Sequence, residues 1–303
     1  MSDLTVAVTG PTGEIGRAFL RALDPHVGRV LGMARRPFDP ASLGLQHTEY
    51  RQGDILDPEA VRALVAEADV IVHLAFIILG GREETRRINL TGSRNVFRAT
   101  EGKRLVYTSS VAAYGFHADN PQPLTEDVPP RGSESFYYSA QKAELESELP
   151  DDAYVLRPCI VAGPDAQVLL RQLPQRRIPG PIKVMPDPGT PFQLVHHDDV
   201  ASALVKATLG EGPPGIYNLA GDGTITLGDL ARALGWLAVP VPRLLVDAGA
   251  LTAKLPLAPT LLQWINAGRV PVVMDTTRAK TLLGWEPRYS TRETLAALVS
   301  PNT

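Results

Sequence analysis

One stretch near the N-terminus constrains this chain more than any other. The apolar run Leu4–Val8 reads as a buried strand and passes directly into Thr9–Gly10–Pro11–Thr12–Gly13–Glu14–Ile15–Gly16. A helical pattern, Ile15–Leu23, follows at once. Each glycine has its own steric reason. Gly10 lets the chain turn sharply off the strand, Gly13 lets backbone N–H groups approach a pyrophosphate, and Gly16 lets the helix pack close to the sheet. The helix N-terminus adds unpaired donors and a positive dipole end. Glycines also make plain turns, but a strand before and a helix after is the context that a dinucleotide loop requires.

The pattern repeats along the chain. Val30–Ala34, Val70–Leu74 and Leu105–Thr108 read as strands, and Val61–Ala68 and Leu90–Thr100 as helices. Strands that are apolar throughout and alternate with helices indicate a parallel sheet covered on both faces. With right-handed crossovers this is an α/β fold, a Rossmann-type doubly wound parallel sheet. Tyr138–Leu149 continues it as a helix and Ala153–Val161 as a strand. From Gly163 the texture changes. Pro174, Pro179, Pro181, Pro186, Pro188 and Pro191 point to loops and edge strands. Asp199–Leu209 then reads as a helix, Gly215–Leu219 as a strand and Leu227–Leu234 as a helix. The expected organisation is a dinucleotide-binding part, residues 1–163 with parts of 190–225. A smaller, interleaved C-terminal substrate-binding domain takes residues 164–190 and 226–303.

Composition narrows the partners. The 303 residues are 44% hydrophobic and 21% charged, the balance of a globular protein. A formal charge of -3 and a pI near 6.1 give no nucleic-acid surface. The one basic cluster, Arg171 to Arg177, reads as a solvated face. No run reaches the roughly eighteen uninterrupted apolar residues of a membrane span, and MSDLTVAVTG is not a secretory leader. The single cysteine, Cys159, lies in an apolar run and reads as a buried small hydrophobe in a reducing compartment, so the expected address is cytoplasmic. Leu244–Leu262 is apolar and Pro-broken, which fits core packing, a cap over a greasy pocket, or a subunit contact.

The end of the second strand bears on the cofactor. A carboxylate there would hydrogen-bond a ribose 2′-hydroxyl, whereas Ala34–Arg35–Arg36 offers guanidinium groups that can grip a 2′-phosphate. NADP is expected over NAD. Asp54 in Gly53–Asp54–Ile55 sits where a carboxylate could accept from the adenine amino group, and Ala75 after Leu74 is small enough to let the cofactor pass.

The chemistry is expected further on. Leu105–Thr108 runs into Ser109–Ser110–Val111–Ala112–Ala113–Tyr114–Gly115, and Tyr138–Ser139–Ala140–Gln141–Lys142 opens a helix. Residues four apart share a helical face, so Tyr138 and Lys142 point the same way. A nearby ammonium would lower the tyrosine pKa from about 10 and make it an acid/base, with a serine hydroxyl donating to the same oxygen. Tyr-x-x-x-Lys alone also arises as an exposed helix pair, but its order after a glycine loop, Asp54 and a Ser pair is hard to obtain by accident.

Taken together the chain resembles an extended short-chain dehydrogenase/reductase of the NAD(P)-dependent epimerase/dehydratase type. The likeness covers nearly the whole length. It rests on Thr9–Gly16, Gly53–Asp54, His73–Leu74–Ala75, Asn89, Ser109–Ser110, Tyr138, Lys142, Arg157–Pro158, Val195–Val200, Asn218–Gly221 and Leu283–Pro287. The resemblance implies that Ser110, Tyr138 and Lys142 are catalytic. It implies a cofactor site at Gly10, Thr12, Gly13, Glu14, Ile15, Arg35, Arg36, Asp54, Ile55, Leu74, Ala75, Asn89, Thr108, Tyr138, Lys142, Pro158 and Ile160. Ser109 and Asn89 would lie nearer cofactor than substrate. It also implies a homodimer through helices 90–100 and 138–149. His196–His197–Asp198–Asp199 looks like a metal cluster, but four consecutive residues should fan apart, and Asp198 or Asp199 suits an N-cap. No metal is expected.

Departures from the family pattern bear on the reaction. Ile160 and Ala162 stand where nucleotide-sugar enzymes carry polar residues, and Pro191–Phe192–Gln193 lacks an arginine. Val111–Ala112 replaces the dehydratases' Asp–Glu pair. The expected function is an NAD(P)-dependent oxidoreductase that transfers a hydride to or from a small or apolar carbonyl/alcohol substrate, with Tyr138 passing the proton. The alternative is a sugar or nucleotide-sugar epimerase that retains its NAD(P), with Arg171, Arg176 and Arg177 as phosphate contacts. A non-catalytic NADP-sensing protein is a minor alternative.

Overall fold

The structure, a computed structural model, describes residues 2–78, 80–134, 136–168, 170, 183–241 and 269–300. Its centre follows from the alternation of side chains along β1 (Ser2–Thr9). Val6 and Val8 enter one core cluster and Ala7 the other, and all three are fully buried. The same parity holds along β2 (Val27–Ala34), where Val30 faces one cluster and Leu31 the other. A strand buried on both faces needs helices on both, which is why these runs are apolar without alternation. Each such side chain contributes on the order of 1.5–3 kcal/mol relative to exposure.

The remaining sheet strands are β3 (Thr48–Gln52), β4 (Val70–His73), β5 (Arg104–Thr108), β6 (Tyr154–Pro158) and, later in the chain, β10 (Gly215–Leu219). Together these strands form a seven-stranded parallel sheet in the order β10-β6-β5-β4-β1-β2-β3. The direction of progression reverses between β1 and β4, which opens a crevice at their C-terminal ends. The expected Rossmann-type doubly wound fold is what the chain adopts. Helices α1 (Glu14–Leu23), α2 (Pro58–Ala66), α3 (Arg82–Arg86), α4 (Gly92–Ala99) and α5 (Tyr137–Glu146) alternate with the strands.

Some boundaries differ from the sequence expectation. The helix read from Leu90 begins at Arg82, with a π turn over Arg87–Thr91 joining α3 to α4. The strand read as Ala153–Val161 is two. After β6, Cys159 N donates to Leu219 O at 2.9 Å. The chain then leaves the main sheet as β7 (Ile160–Ala162), which pairs with β9 (Leu194–His196). Between these lies β8 (Val184–Asp187), which pairs with β11 (Leu237–Pro240). Cys159 is buried and unpaired, and burial raises its thiol pKa.

Helix α6 (His197–Leu209) packs against α1. Its N-cap is neither Asp198 nor Asp199 but His196, whose Nδ1 accepts from Asp198 N at 3.2 Å. Asp199 instead turns to the C-terminal segment and accepts from the Arg288 and Tyr289 N–H groups at 3.0 and 3.1 Å. Fully buried Trp285 donates to the Asp199 carbonyl at 2.9 Å. Two motifs read separately in the sequence are thus one contact. Helices α7 (Leu227–Ala233), α8 (Thr277–Leu282) and α9 (Thr291–Val299) complete the described C-terminal part. The Arg171–Arg177 cluster, the Leu244–Leu262 stretch, Pro174, Pro179 and Pro181 lie outside the described residues. No helix among the described residues is long and apolar enough to cross a membrane.

Beneath the crevice, paired residues Thr9 and His73 tie β1 to β4, with Thr9 Oγ1 and His73 Nδ1 2.6 Å apart. His73 Nε2 lies 2.8 Å from Ser93 Oγ on α4. Burial, aided by the positive Lys142, pushes the ring's pKa down to about 3. The folded chain therefore takes up no proton here between pH 6.5 and 3, while the unfolded chain does. Stability from this site is intact above pH 6.5 and is lost as pH falls through that window. Urea unfolding should show a loss of about 2 kcal/mol attributable to His73 between pH 7 and pH 5. His73→Gln should flatten that slope even if it lowers stability at both pH values. An unchanged slope would refute the account.

Candidate active site

The crevice is lined first by the glycine loop. A Cβ on Gly10 would come 2.7 Å from Ala75 N, and its φ is +76°. Only glycine permits that approach and that backbone angle. Gly16 is closed in the same way, 2.5 Å from Gly10 O. Gly13 is different. It is exposed, and a Cβ there would meet only Gly10 O at 3.5 Å. Gly13 caps α1 without a side chain, so the first-turn N–H groups have no side-chain acceptor from the cap. Thr12 and Ile15 are half-buried beside it. Glu14, the first residue of α1, accepts through Oε1 from Gln167 N at 3.2 Å.

The other cofactor candidates surround this loop. Asp54 Oδ1 accepts from Leu56 N at 3.0 Å, an Asx turn that fixes the carboxylate at the end of β3. Ile55 is buried and packs on Gly92, where a Cβ would come 2.4 Å from its Cδ1. Arg35 and Arg36 are exposed just past β2 and have no ion pair among the described residues. Leu74 is held by its N–H to Thr9 O at 3.0 Å, and Pro158 ends β6 opposite Leu219. Thr108 Oγ1 is buried without a partner among the described residues, a polar atom suited to a ligand group. An open Gly13, first-turn donors and this hydroxyl fit a dinucleotide laid across the crevice. Gly10, Gly13, Thr12 and Ile15 would hold its pyrophosphate side.

Asn89 is fully buried and holds backbone. Its side chain accepts from Ile77 N at 2.8 Å and donates to Ile77 O at 2.9 Å and Gln141 Oε1 at 2.8 Å. It clamps the loop after β4 to α5. The π turn is what places it there. Ser109 also points inward and donates to Glu146 Oε1.

Ser110, Tyr138 and Lys142 come together at the C-terminal end of β5, and all are buried. Ser110 caps the short turn Val111–Tyr114, with Oγ accepting from Ala112 N at 3.2 Å. Its hydroxyl is the polar neighbour of the Tyr138 phenol. Burial raises the Tyr138 pKa above the usual value, and the Ser110 hydroxyl offsets only part of the rise. That corrects the expectation that Lys142 lowers it. The ammonium instead donates to Thr108 O at 2.8 Å and Tyr107 Oη at 3.2 Å, and it lies 3.7 Å from the Phe76 ring centroid. Burial brings Lys142 down to about 7, and Glu146 one turn further along α5 partly restores the charged form. Glu146 is itself paired with fully buried Arg157, at 2.5 Å. Arg157 Cζ lies 4.3 Å over the Tyr114 ring.

Phe76, Tyr107 and Glu146 escaped the sequence reading. The only available signal was for Glu146, four residues after Lys142 on the same helix. Ile160 is half-buried in the C-terminal core cluster with Phe192. Gln193 is structural, with Oε1 accepting from Met274 N at 2.7 Å.

His196, His197 and Asp198 do not fan apart as expected. Their ligand-type atoms all lie within 4.8 Å of one another. The reason is that the two imidazoles stack, at 4.3 Å between centroids, with Tyr289 on the far side of His196 at 4.1 Å. His196 Nδ1 is already engaged as the helix cap.

A parallel sheet with an open glycine crook at its switch point, beside a buried Ser–Tyr–Lys group, defines a nicotinamide-dinucleotide enzyme of the extended short-chain dehydrogenase/reductase kind. Residues 6–220 match the NAD dependent epimerase/dehydratase family, and the chain belongs to it. It is 29% identical to a ceramide reductase of Caulobacter vibrioides, over 93% of this chain and 86% of that one. Two structures solved with NAD share the fold at lower identity. The Bordetella bronchiseptica enzyme WbmH with NAD+ is 20% identical with a TM-score of 0.72, covering 98% of this chain and 97% of its own. The UDP-glucuronic acid 4-epimerase of Bacillus cereus with NAD is 18% identical with a TM-score of 0.70, with the same coverage.

The glycines give a paired test. Gly10→Ala should destabilise the protein by about 1–3 kcal/mol, because the new methyl meets backbone at a positive φ. Gly13→Ala should leave the melting temperature nearly unchanged but weaken dinucleotide binding about tenfold or more. Equal thermal stability of the two variants, or undiminished binding by Gly13→Ala, would contradict these roles.

Proposed function

We propose that the protein is an NAD(P)-dependent oxidoreductase acting at a carbonyl/alcohol carbon, with Tyr138 as its acid/base and NADP preferred to NAD. The observation that carries this reading is the buried Tyr138 phenol beside the Ser110 hydroxyl, with buried Lys142 one helical turn away. When bound, the nicotinamide supplies or accepts the hydride. Tyr138, kept protonated at neutral pH by its burial, gives its proton to the substrate oxygen in the reducing direction and takes it back in the oxidising one. The Ser110 hydroxyl orients that same oxygen. Lys142, held by Thr108 O and Tyr107 Oη, would contact the bound dinucleotide. Arg35 and Arg36 grip a 2′-phosphate, and Asp54 faces the adenine end.

A second reading, an epimerase acting on a sugar nucleotide with retained cofactor, is favoured by family membership and by the fold shared with the UDP-glucuronic acid 4-epimerase. The same Tyr138 would serve it. A dinucleotide that copurifies tightly, with no net consumption of added NADPH, would select that reading. The proposed setting is the cytoplasm, on the strength of a lone buried thiol. The proposed assembly is a homodimer through α4 and α5, which Arg94 links by ion pairs to Glu144 and Glu148.

Tyr138→Phe should lower turnover about 10²- to 10⁴-fold with dinucleotide affinity retained. Replacing Arg35 and Arg36 by Ala should cost NADPH, not NADH, about tenfold or more in kcat/KM. Retained turnover in Tyr138→Phe would end the acid/base assignment. Equal losses with NADPH and NADH would end the 2′-phosphate assignment.

A further inference from the structure

The surroundings of the Tyr138 ring are aromatic. Phe76 meets it edge-to-face, with centroids 5.5 Å apart and planes at 87°. Phe136 lies 5.7 Å from it, and Phe116 lies 5.8 Å from Phe136. Ala112 and Ile78 complete this small cluster, and Phe76 also packs against one of the larger cores of the protein. Its members come from the loop after β4, the turn after β5 and the entry to α5, so the topology converges them on the reacting end of the crevice.

Phe76 is the pivotal member. It touches both functional groups, lying against the Tyr138 ring and 3.7 Å from Lys142 Nζ. Its backbone is bracketed on both sides. Leu74 N is bonded to Thr9 O, and Asn89 pins Ile77 through both N and O. The residue is half-buried, so part of it stays accessible.

On the reading of Tyr138 given above, we propose that Phe76 determines substrate specificity. Its ring is the wall against which the group flanking the reacting carbonyl packs, so the substrate is a ketone or secondary alcohol with an alkyl or aryl flank. A hydroxylated flank placed there would lose water without gaining partners, whereas an apolar one gains burial. The positions along β7 that could have supplied polar handles, Ile160 and Ala162, are apolar too.

The test compares benzylacetone with dihydroxyacetone, using the wild type, Phe76→Ala and Phe76→Leu with NADPH and NADH. The wild type should prefer benzylacetone about 100-fold in kcat/KM. Phe76→Ala should reduce that preference about tenfold or more, chiefly through the KM for benzylacetone, and Phe76→Leu should restore much of it. A general loss of rate from disturbing Lys142 cancels in the ratio. Calorimetric titration with the alcohol corresponding to benzylacetone reads the wall without turnover, and dinucleotide binding confirms that each variant is folded. An unchanged ratio and unchanged alcohol affinity in both variants would overturn the role of Phe76. A wild type that prefers dihydroxyacetone would overturn the substrate class. Phe76-dependent binding of the alcohol with no hydride transfer to any carbonyl would support the wall and refute the oxidoreductase reading instead.

Discussion

The close approach of Gly10 to the backbone of Leu74 and Ala75 is the constraint on which the rest of this molecule depends. A side chain at position 10 would stand 2.7 Å from the Ala75 nitrogen, so β1 and β4 can end side by side only because residue 10 has none. That closeness puts the turn off β1 and the loop off β4 in contact at the place where the strand order reverses. The crevice and the phenylalanine that follows Ala75 are consequences of it. The Thr9–His73–Ser93 chain fastens the same junction from below, with a ring that burial keeps neutral. A charged ring there would add a second cation near Lys142 in a region of low dielectric, at a cost of several kcal/mol.

Lys142 shows how far the core and the site are one object. Burying an ammonium is expensive unless its donors are met. Here the Thr108 carbonyl and the Tyr107 hydroxyl meet two of them, and the faces of Phe76 and Tyr107 supply further negative potential. Glu146 on the next turn supports the charge. That carboxylate is tolerable in the interior because Arg157 neutralises it and Ser109 donates to it. Arg157 in turn lies over Tyr114, whose hydroxyl donates to Asn218 at 2.7 Å on the far strand of the sheet. The polar motifs spread along the sequence thus form one buried network that crosses β5, β6 and β10.

What could be read from the sequence was what is set locally or periodically. The glycine loop, the two-faced strands and the sharing of a helical face by Tyr138 and Lys142 all depend on residues close together in the chain, and each stands as expected. Contacts between distant segments were not legible. Nothing in the string ties Phe76 to Lys142 or Tyr107 to the ammonium, because those pairs meet only when β4, β5 and α5 are assembled. Helix starts were misread where the cap is unusual. The N-cap position of α5 is held by Phe136, which is not a capping residue type, and His196 caps α6 through an imidazole nitrogen. The fan-out expected of His196, His197 and Asp198 failed for a related reason. A strand ends and a helix begins between the two imidazoles, and that junction lets their rings stack instead of diverging.

A division of labour follows from where the polar groups are spent. Asn89, Arg157, Gln193, Asp199 and Asn218 each resemble site residues by type and motif. In the folded chain their hydrogen bonds run to backbone or to other buried side chains, so they fix the scaffold. Among the described residues, the groups proposed to face a ligand are of another kind: the Thr108 hydroxyl, Ser110 and Tyr138, the open face of Gly13 and two exposed arginines. Around the phenol itself the remaining surface is aromatic and aliphatic. A polar scaffold that satisfies itself can be shared by enzymes with different substrates, because altering the lining need not disturb it. Selectivity then falls to side chains such as Phe76, Ala112 and Ile160, which a motif search passes over because they carry no chemistry of their own.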